Sequence, residues 1–187
     1  SPIDDSTHHA IASRLEGVAA VQPVEIPGGA SFRVNGLEIA RLQSGQLSYG
    51  LDELRPAAAH QWPEIERIAR TVAAIRNPRA GSPTNPLFLR QPERWLEAQV
   101  RGAIEVIDAS LLPAPVYGQV PAMAGTSRDI LDLVAIDRSG RLAILELKAE
   151  EDIHLPMQAL DYWIRVKWHL DRGDFEHQGY FPGLPIR

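Results

Sequence analysis

The chain reads as an α+β protein in two parts, an N-terminal α+β accessory unit over residues 1–90 and an α/β core over residues 91–187, and three features predict this. Two nearly all-apolar runs, Ile130 to Ile136 and Leu142 to Leu147, flank Asp137-Arg138-Ser139-Gly140, a hairpin pattern in which the Gly supplies a left-handed position. Apolar residues recur at helical spacing in stretches that open near Pro63, Pro92 and Pro156. Between them, Asn77 to Pro92 carries Pro78, Gly81, Pro83, Pro86 and Pro92, which breaks the chain in two.

In the first unit, Asp5 to Gly17 reads as a short helix with Asp5 or Ser6 as N-cap, Ile11 and Leu15 inward and Gly17 as its stop. His8 and His9 are adjacent, so on a helix they diverge and make a poor metal pair. An antiparallel meander follows: Val24 and Ile26, then Phe32 and Val34, an Asn35-Gly36 turn, Leu37 and Ile39, and, after Ser44-Gly45, Leu47, Tyr49 and Leu51. From Pro63 to Arg76, Ile65, Ile68, Val72 and Ile75 mark one helical face.

Pro92 opens the next helix, whose buried stripe is Leu96, Val100, Ile104 and Ile107, with Glu97 on its border. Val116 to Val120 is the first core strand, and Met123 to Ser127 a loop at the mouth of the site. The hairpin of the two apolar runs comes next. The last long helix begins at Pro156 and runs to about Asp171, with Glu150, Glu151 and Asp152 near its N-terminus. Ala159, Trp163, Val166 and Leu170, with Leu160 and Ile164, are expected to pack on the sheet; Gln158, Tyr162, Arg165, His169 and Arg172 form a separate polar stripe. In the tail, Phe175, Tyr180 and Phe181 are available for the core or for an interface.

Composition narrows the class. With 187 residues, 44% hydrophobic and 23% charged, the chain is long enough to bury a real core. The absence of Cys removes disulfide and thiol chemistry and fits a reducing, cytoplasmic setting. No apolar run approaches a membrane span and no signal pattern opens the chain, so no membrane partner is expected. The chain starts on Ser1, which fits a piece of a longer protein. A net charge of −5 argues against binding nucleic acid through bulk basicity. Locally, however, Arg67, Arg70, Arg76, Arg79, Arg90, Arg94 and Arg101 face only Glu93 and Glu97, a stretch suited either to phosphate contacts or to solvated helix faces.

The chemistry concentrates on the hairpin. Register symmetric about Ser139 sets Ile136 opposite Leu142, Val134 opposite Ile144 and Asp132 opposite Glu146, and period-two alternation places Lys148 on the same face. Two carboxylates a strand apart repel unless a cation sits between them, and such oxygen donors suit Mg²⁺ or Mn²⁺ better than Zn²⁺. The choice of Lys is informative: of 19 basic residues only Lys148 and Lys167 are Lys. A Glu-x-Lys tripeptide alone usually marks a solvated edge or a surface ion pair. Here Asp132 lies at the matching cross-strand position, and Gln158 and Tyr162 share a helical face downstream.

Asp132, then Glu146-Leu147-Lys148, then Gln158-x-x-x-Tyr162 resembles the PD-(D/E)xK, or restriction-endonuclease-like, nuclease superfamily, in its RecB-like branch with a QxxxY signature. The resemblance covers roughly residues 91 to 173. It implies an αβββα core with a mixed sheet flanked by helices, followed by a further strand. Leu131 stands where the superfamily pattern has Pro, and the chain leaves little room for that last strand, so the core is expected to be truncated at its C-terminal end.

The resemblance implies a Mg²⁺- or Mn²⁺-dependent nuclease hydrolysing DNA phosphodiester bonds, in repair or restriction. Asp132, Glu146, Lys148, Gln158 and Tyr162 would be catalytic, and Asp132, Glu146, the Leu147 carbonyl and Glu97 would hold the metal, with Glu105 a weaker candidate for the place of Glu97. By residue chemistry alone, a surface pair of Glu97 with Arg101 at i+4 is the better reading. The alternative is a catalytically inactive nuclease-fold module that binds nucleic acid or protein; a homodimer is open under either reading.

Overall fold

In the computed structural model the residues described are 13–15, 17, 18, 20–79, 84–121 and 130–187. The helix N-cap at Asp5 or Ser6, His8, His9, Ile11, Gly81, Pro83 and the Met123–Ser127 loop lie outside them. The chain divides into two compact units, Ser1–Trp95 and Leu96–Arg187.

The first unit is the expected meander with a helix. Strands β1 (Val21–Ile26), β2 (Gly29–Val34), β3 (Leu37–Gln43), β4 (Gln46–Tyr49) and β5 (Arg55–Pro56) form one antiparallel sheet in sequence order. Asn35 and Gly36 (φ 45° and 81°) and Ser44 and Gly45 (48° and 81°) take the left-handed pairs that match the twist of a hairpin. Helix α1 (Trp62–Ile75) buries Ile65, Ala69 and Val72 against Phe32, Val34, Leu37, Ile39 and Leu42. Leu51, expected in the last strand, follows β4 in a bend.

Arg76, at the end of α1, is wholly buried. Its Nε donates to the Asn35 carbonyl at 3.0 Å, and Nη1 donates to the carbonyls of Leu87 (3.0 Å) and Arg90. The Pro-rich segment, with its short helix α2 (Pro86–Leu89), is thereby wrapped onto the first unit. Trp95 joins it, its Nε1 donating to the Arg76 carbonyl at 3.4 Å and its ring 5.3 Å from that of Phe88. For this reason the division falls at Trp95/Leu96, within helix α3 (Pro92–Gly102), rather than at residue 90.

The basic stretch is partly committed to internal bonds. Besides buried Arg76, Arg90 pairs with Asp52 at 3.0 Å and Arg70 with Glu66 at 3.8 Å.

In the second unit β6 (Tyr117–Pro121), β7 (Ile130–Ile136) and β8 (Leu142–Leu145) form an antiparallel sheet in that order, so among the described residues the expected mixed sheet is antiparallel throughout. Leu133, Ala135, Ala143 and Leu145 pack with Leu96, Val100 and Ile104 on one face; Val134, Ile136 and Ile144 pack with Tyr162, Val166, Phe175 and Phe181 on the other. Both faces are thus covered, as the unbroken apolar runs require. The stripe of α3 is shorter than expected. The helix stops at Gly102, Ile104–Val106 is a 3₁₀ turn, and Ile107 is exposed.

Helix α4 (Leu155–Asp171) is rotated relative to the expectation. It buries Tyr162, Val166 and His169, while Leu160, Trp163 and Ile164 are exposed, as is Ala159. The middle of the stripe that reads as polar is buried with some of its polar atoms paired: Gln158 Nε2 donates to the Tyr162 hydroxyl at 3.2 Å, and His169 Nδ1 lies 2.7 Å from Asp174 Oδ2, while His169 Nε2 is buried with no hydrogen-bond partner and Arg172 is exposed. The tail fills the remaining space. After the short helix α5 (Asp174–His177), Tyr180 and Phe181 set their rings edge-on to Tyr117, and the Phe181 N–H donates to the Tyr117 hydroxyl at 3.1 Å. Arg187 reaches the outer edge of β8, donating to the Gly140 carbonyl at 2.8 Å and accepting from the Leu142 N–H at 3.2 Å.

Candidate active site

The hairpin has the predicted register, with Ile136 opposite Leu142, Val134 opposite Ile144 and Leu133 opposite Leu145. Asp137 sets the turn. Its Oδ1 accepts from the Ser139 hydroxyl (2.7 Å), the Ser139 N–H (2.8 Å) and the Arg141 N–H (2.9 Å), and its Oδ2 accepts from Arg141 Nε (2.9 Å). The Ser139 hydroxyl first, and then the Arg141 N–H, hold this carboxyl far below the usual carboxylate range. Gly140 supplies the left-handed residue at φ 89°.

At the open end the ladder stops at Leu133–Leu145, so the expected pairing of Asp132 with Glu146 falls just beyond it. Here a side chain replaces the ladder: Asp132 Oδ2 accepts from the Leu147 N–H at 2.9 Å. Lys148 Nζ lies 3.4 Å from Glu146 Oε1, and the Glu146 side chain is only 7% exposed. Asp132 is thereby tied to Leu147, and Glu146 to Lys148, in two separate contacts at the hairpin mouth. Leu147 packs with Leu145 on the face covered by α3, and α4, over the other face, carries the bonded pair Gln158 and Tyr162.

Glu97 comes from α3, which covers the other face. Its Oε2 accepts from Gln119 Nε2 at 2.9 Å, and a Cβ on Gly118 would stand 2.9 Å from its Oε1. Gly118 opposite Leu133 and Val120 opposite Leu131 put Gln119 across from Asp132. Gln119 has φ 56°, rare for a non-Gly residue. Both strands change face there. Leu131 packs with Val134 rather than with Leu133, and Val120 with Tyr117. The Gly118-Gln119 cradle was not foreseen; its one sequence signal is a Gly inside a strand, which marks close approach of another group. Glu105, in the 3₁₀ turn, is exposed to solvent.

The groups expected to hold a cation, the carboxylates of Asp132, Glu146 and Glu97 and the Leu147 carbonyl, offer oxygen alone, with Glu97 held by the cradle. Oxygen donors as a class suit Mg²⁺ or Mn²⁺. Among the described residues, no three His, Asp or Glu side chains stand close enough to form a ready-made metal cage.

No family model, no curated protein and no solved structure matches this chain. Among the described residues, no helix is long and apolar enough to cross a membrane.

Proposed function

We propose that this chain is a metal-dependent nuclease of restriction-endonuclease-like build, hydrolysing DNA phosphodiester bonds with Mg²⁺ or Mn²⁺. The observation that carries the reading is the mouth of the hairpin, where Asp132 is tied to the Leu147 N–H and Glu146 to Lys148. Two acids and an ammonium at one strand end are the minimum for holding a cation against a phosphate ester.

Asp132, Glu146 and the Leu147 carbonyl would hold the cation, with Glu97 as an outer support. When bound, the cation supplies positive charge against the phosphate and lowers the pKa of water. Lys148, held beside Glu146, orients the attacking water and neutralises charge that develops on the phosphate. Gln158 and Tyr162, hydrogen-bonded to each other, position the DNA backbone from the helix side. Arg101, exposed on the helix of Glu97, offers a phosphate contact.

The test is cleavage of single- and double-stranded DNA with Mg²⁺, Mn²⁺ or chelator, comparing the unaltered protein with Asp132→Ala, Glu146→Ala and Lys148→Ala. Loss of roughly a hundredfold or more in each variant is expected. Cleavage that survives both Asp132→Ala and Lys148→Ala would be a contaminant's, and the chain would then be a nuclease-fold binding module.

A further inference from the structure

We propose that the cleft between α1 and the loop joining β4 to β5 binds a small zwitterion with an apolar body, of the class of a dipeptide of two aliphatic residues. The cleft has a volume of about 460 Å³, within the ~300–1,000 Å³ of small-molecule sites. All of its lining residues belong to the first unit, and none is invoked for nuclease chemistry.

The loop that forms one wall is built to hold its shape. Gly50 (φ 148°) turns the chain out of β4, and a Cβ there would stand 2.1 Å from the Glu53 carbonyl, so only Gly lets the loop close on itself. Asp52, within the loop, is held by Arg90 at 3.0 Å. Arg55, at its end, donates from Nη2 to Glu64 Oε1 at 2.6 Å and sets its guanidinium 4.9 Å from the centre of the Tyr49 ring. Glu64 belongs to α1 and also accepts from the Tyr49 hydroxyl at 2.7 Å, which ties strand, loop and helix at that end. Leu51, Leu54 and Ile68, all half-buried, give the cleft an apolar lining.

The charges along the cleft divide into those neutralised within the chain and those that are not. Glu64 answers Arg55, and Arg90 answers Asp52. Arg67 and Glu53 remain: both line the cleft, both are exposed, and neither forms an ion pair with the other or with any other described residue. Opposite charges that share a cleft without meeting suit a ligand that carries the complementary pair. A carboxylate takes two parallel N–H bonds from the Arg67 guanidinium. An ammonium takes Glu53, and the Thr71 hydroxyl, whose proton is already given to the Arg67 carbonyl at 2.8 Å, offers it a second acceptor. The aliphatic body between the two ends covers Leu51, Leu54 and Ile68. A ligand with a single charge leaves one of the two groups unanswered.

The test is calorimetric titration of the full chain with leucyl-leucine, beside its N-acetyl form, its C-terminal amide and glycylglycine. Saturable binding of leucyl-leucine is expected at roughly millimolar Kd or tighter, with each of the other three weaker by about tenfold or more. Arg67→Ala should remove the preference over the amide, and Glu53→Ala the preference over the N-acetyl form. Both positions are exposed, so circular dichroism and Tm should stay those of the unaltered protein. Amide shifts in the NMR spectrum on titration should fall on Gly50 to Arg55 and Arg67 to Thr71. Absence of saturable binding by leucyl-leucine overturns the proposal. So does affinity that ignores both blocked ends, glycylglycine binding as tightly as leucyl-leucine, or preferences that survive both substitutions.

Discussion

Asp132 Oδ2 accepts a hydrogen bond from the backbone N–H of Leu147 at 2.9 Å, one step past the last paired residues of the hairpin. The bond gives Asp132 two duties that substitution can separate, since Asn keeps an acceptor for Leu147 and loses the charge. Asp132→Ala should cost about 1–2 kcal/mol of stability in chemical denaturation, and Asp132→Asn less than half of that. Under the nuclease proposal both abolish cleavage, so a plot of activity against stability should separate them along the stability axis alone.

Gln119 holds Glu97 at the expense of a left-handed backbone. Replacing it by Gly relieves the backbone, whereas Ala keeps the strain; both lose the amide. Gln119→Gly is expected to be more stable than Gln119→Ala by about 1 kcal/mol. Both should raise the Mg²⁺ concentration for half-maximal cleavage by roughly tenfold, read from a metal titration. Equal stabilities for the two variants would show that the backbone there carries no strain.

Arg76 is buried among carbonyls, and burial lowers its pKa to about 10, so it remains charged at neutral pH. Lys can neither reach nor fork to the same acceptors. Arg76→Lys should therefore destabilise the protein by about 2–4 kcal/mol. Limited proteolysis should then cut the segment between Asn77 and Gln91 first, because that segment loses its anchor.

Asp137 ionises in the folded chain at a pH well below its value in an unfolded one. A depressed carboxyl stabilises the fold above the unfolded pKa, about 3.9, and that contribution drains away as the pH falls from there toward the folded value. Asp137→Asn should therefore lower Tm at pH 7, and the difference from the unaltered protein should shrink between pH 4 and pH 2. A gap that widens on acidification would reverse the sign assigned here.

Where the governing interactions are local, the sequence was a sufficient guide. Hairpin register follows from loop length and strand alternation, both contained in Ile130 to Leu147, and the predicted pairing of Val134 with Ile144 is the one observed. The Asn35-Gly36 turn was equally legible from its two residue types. A second reason for Gly36 was not: a Cβ there would stand 2.0 Å from the Arg94 carbonyl, more than fifty residues away.

The sequence by itself determined the α+β class, the order of the elements and the hairpin register that sets Val134 across from Ile144, because periodicity and turn chemistry are properties of neighbouring residues. Tertiary structure alone decided which side of α4 faces the sheet, that Arg76 is buried and that Gln119 reaches Glu97. A helix with apolar residues on two sides has no preferred face until partners distant in the chain choose one. Here Phe175, Phe181 and Asp174, which follow the helix, supply the contacts that bury Tyr162 and His169 and turn Trp163 outward.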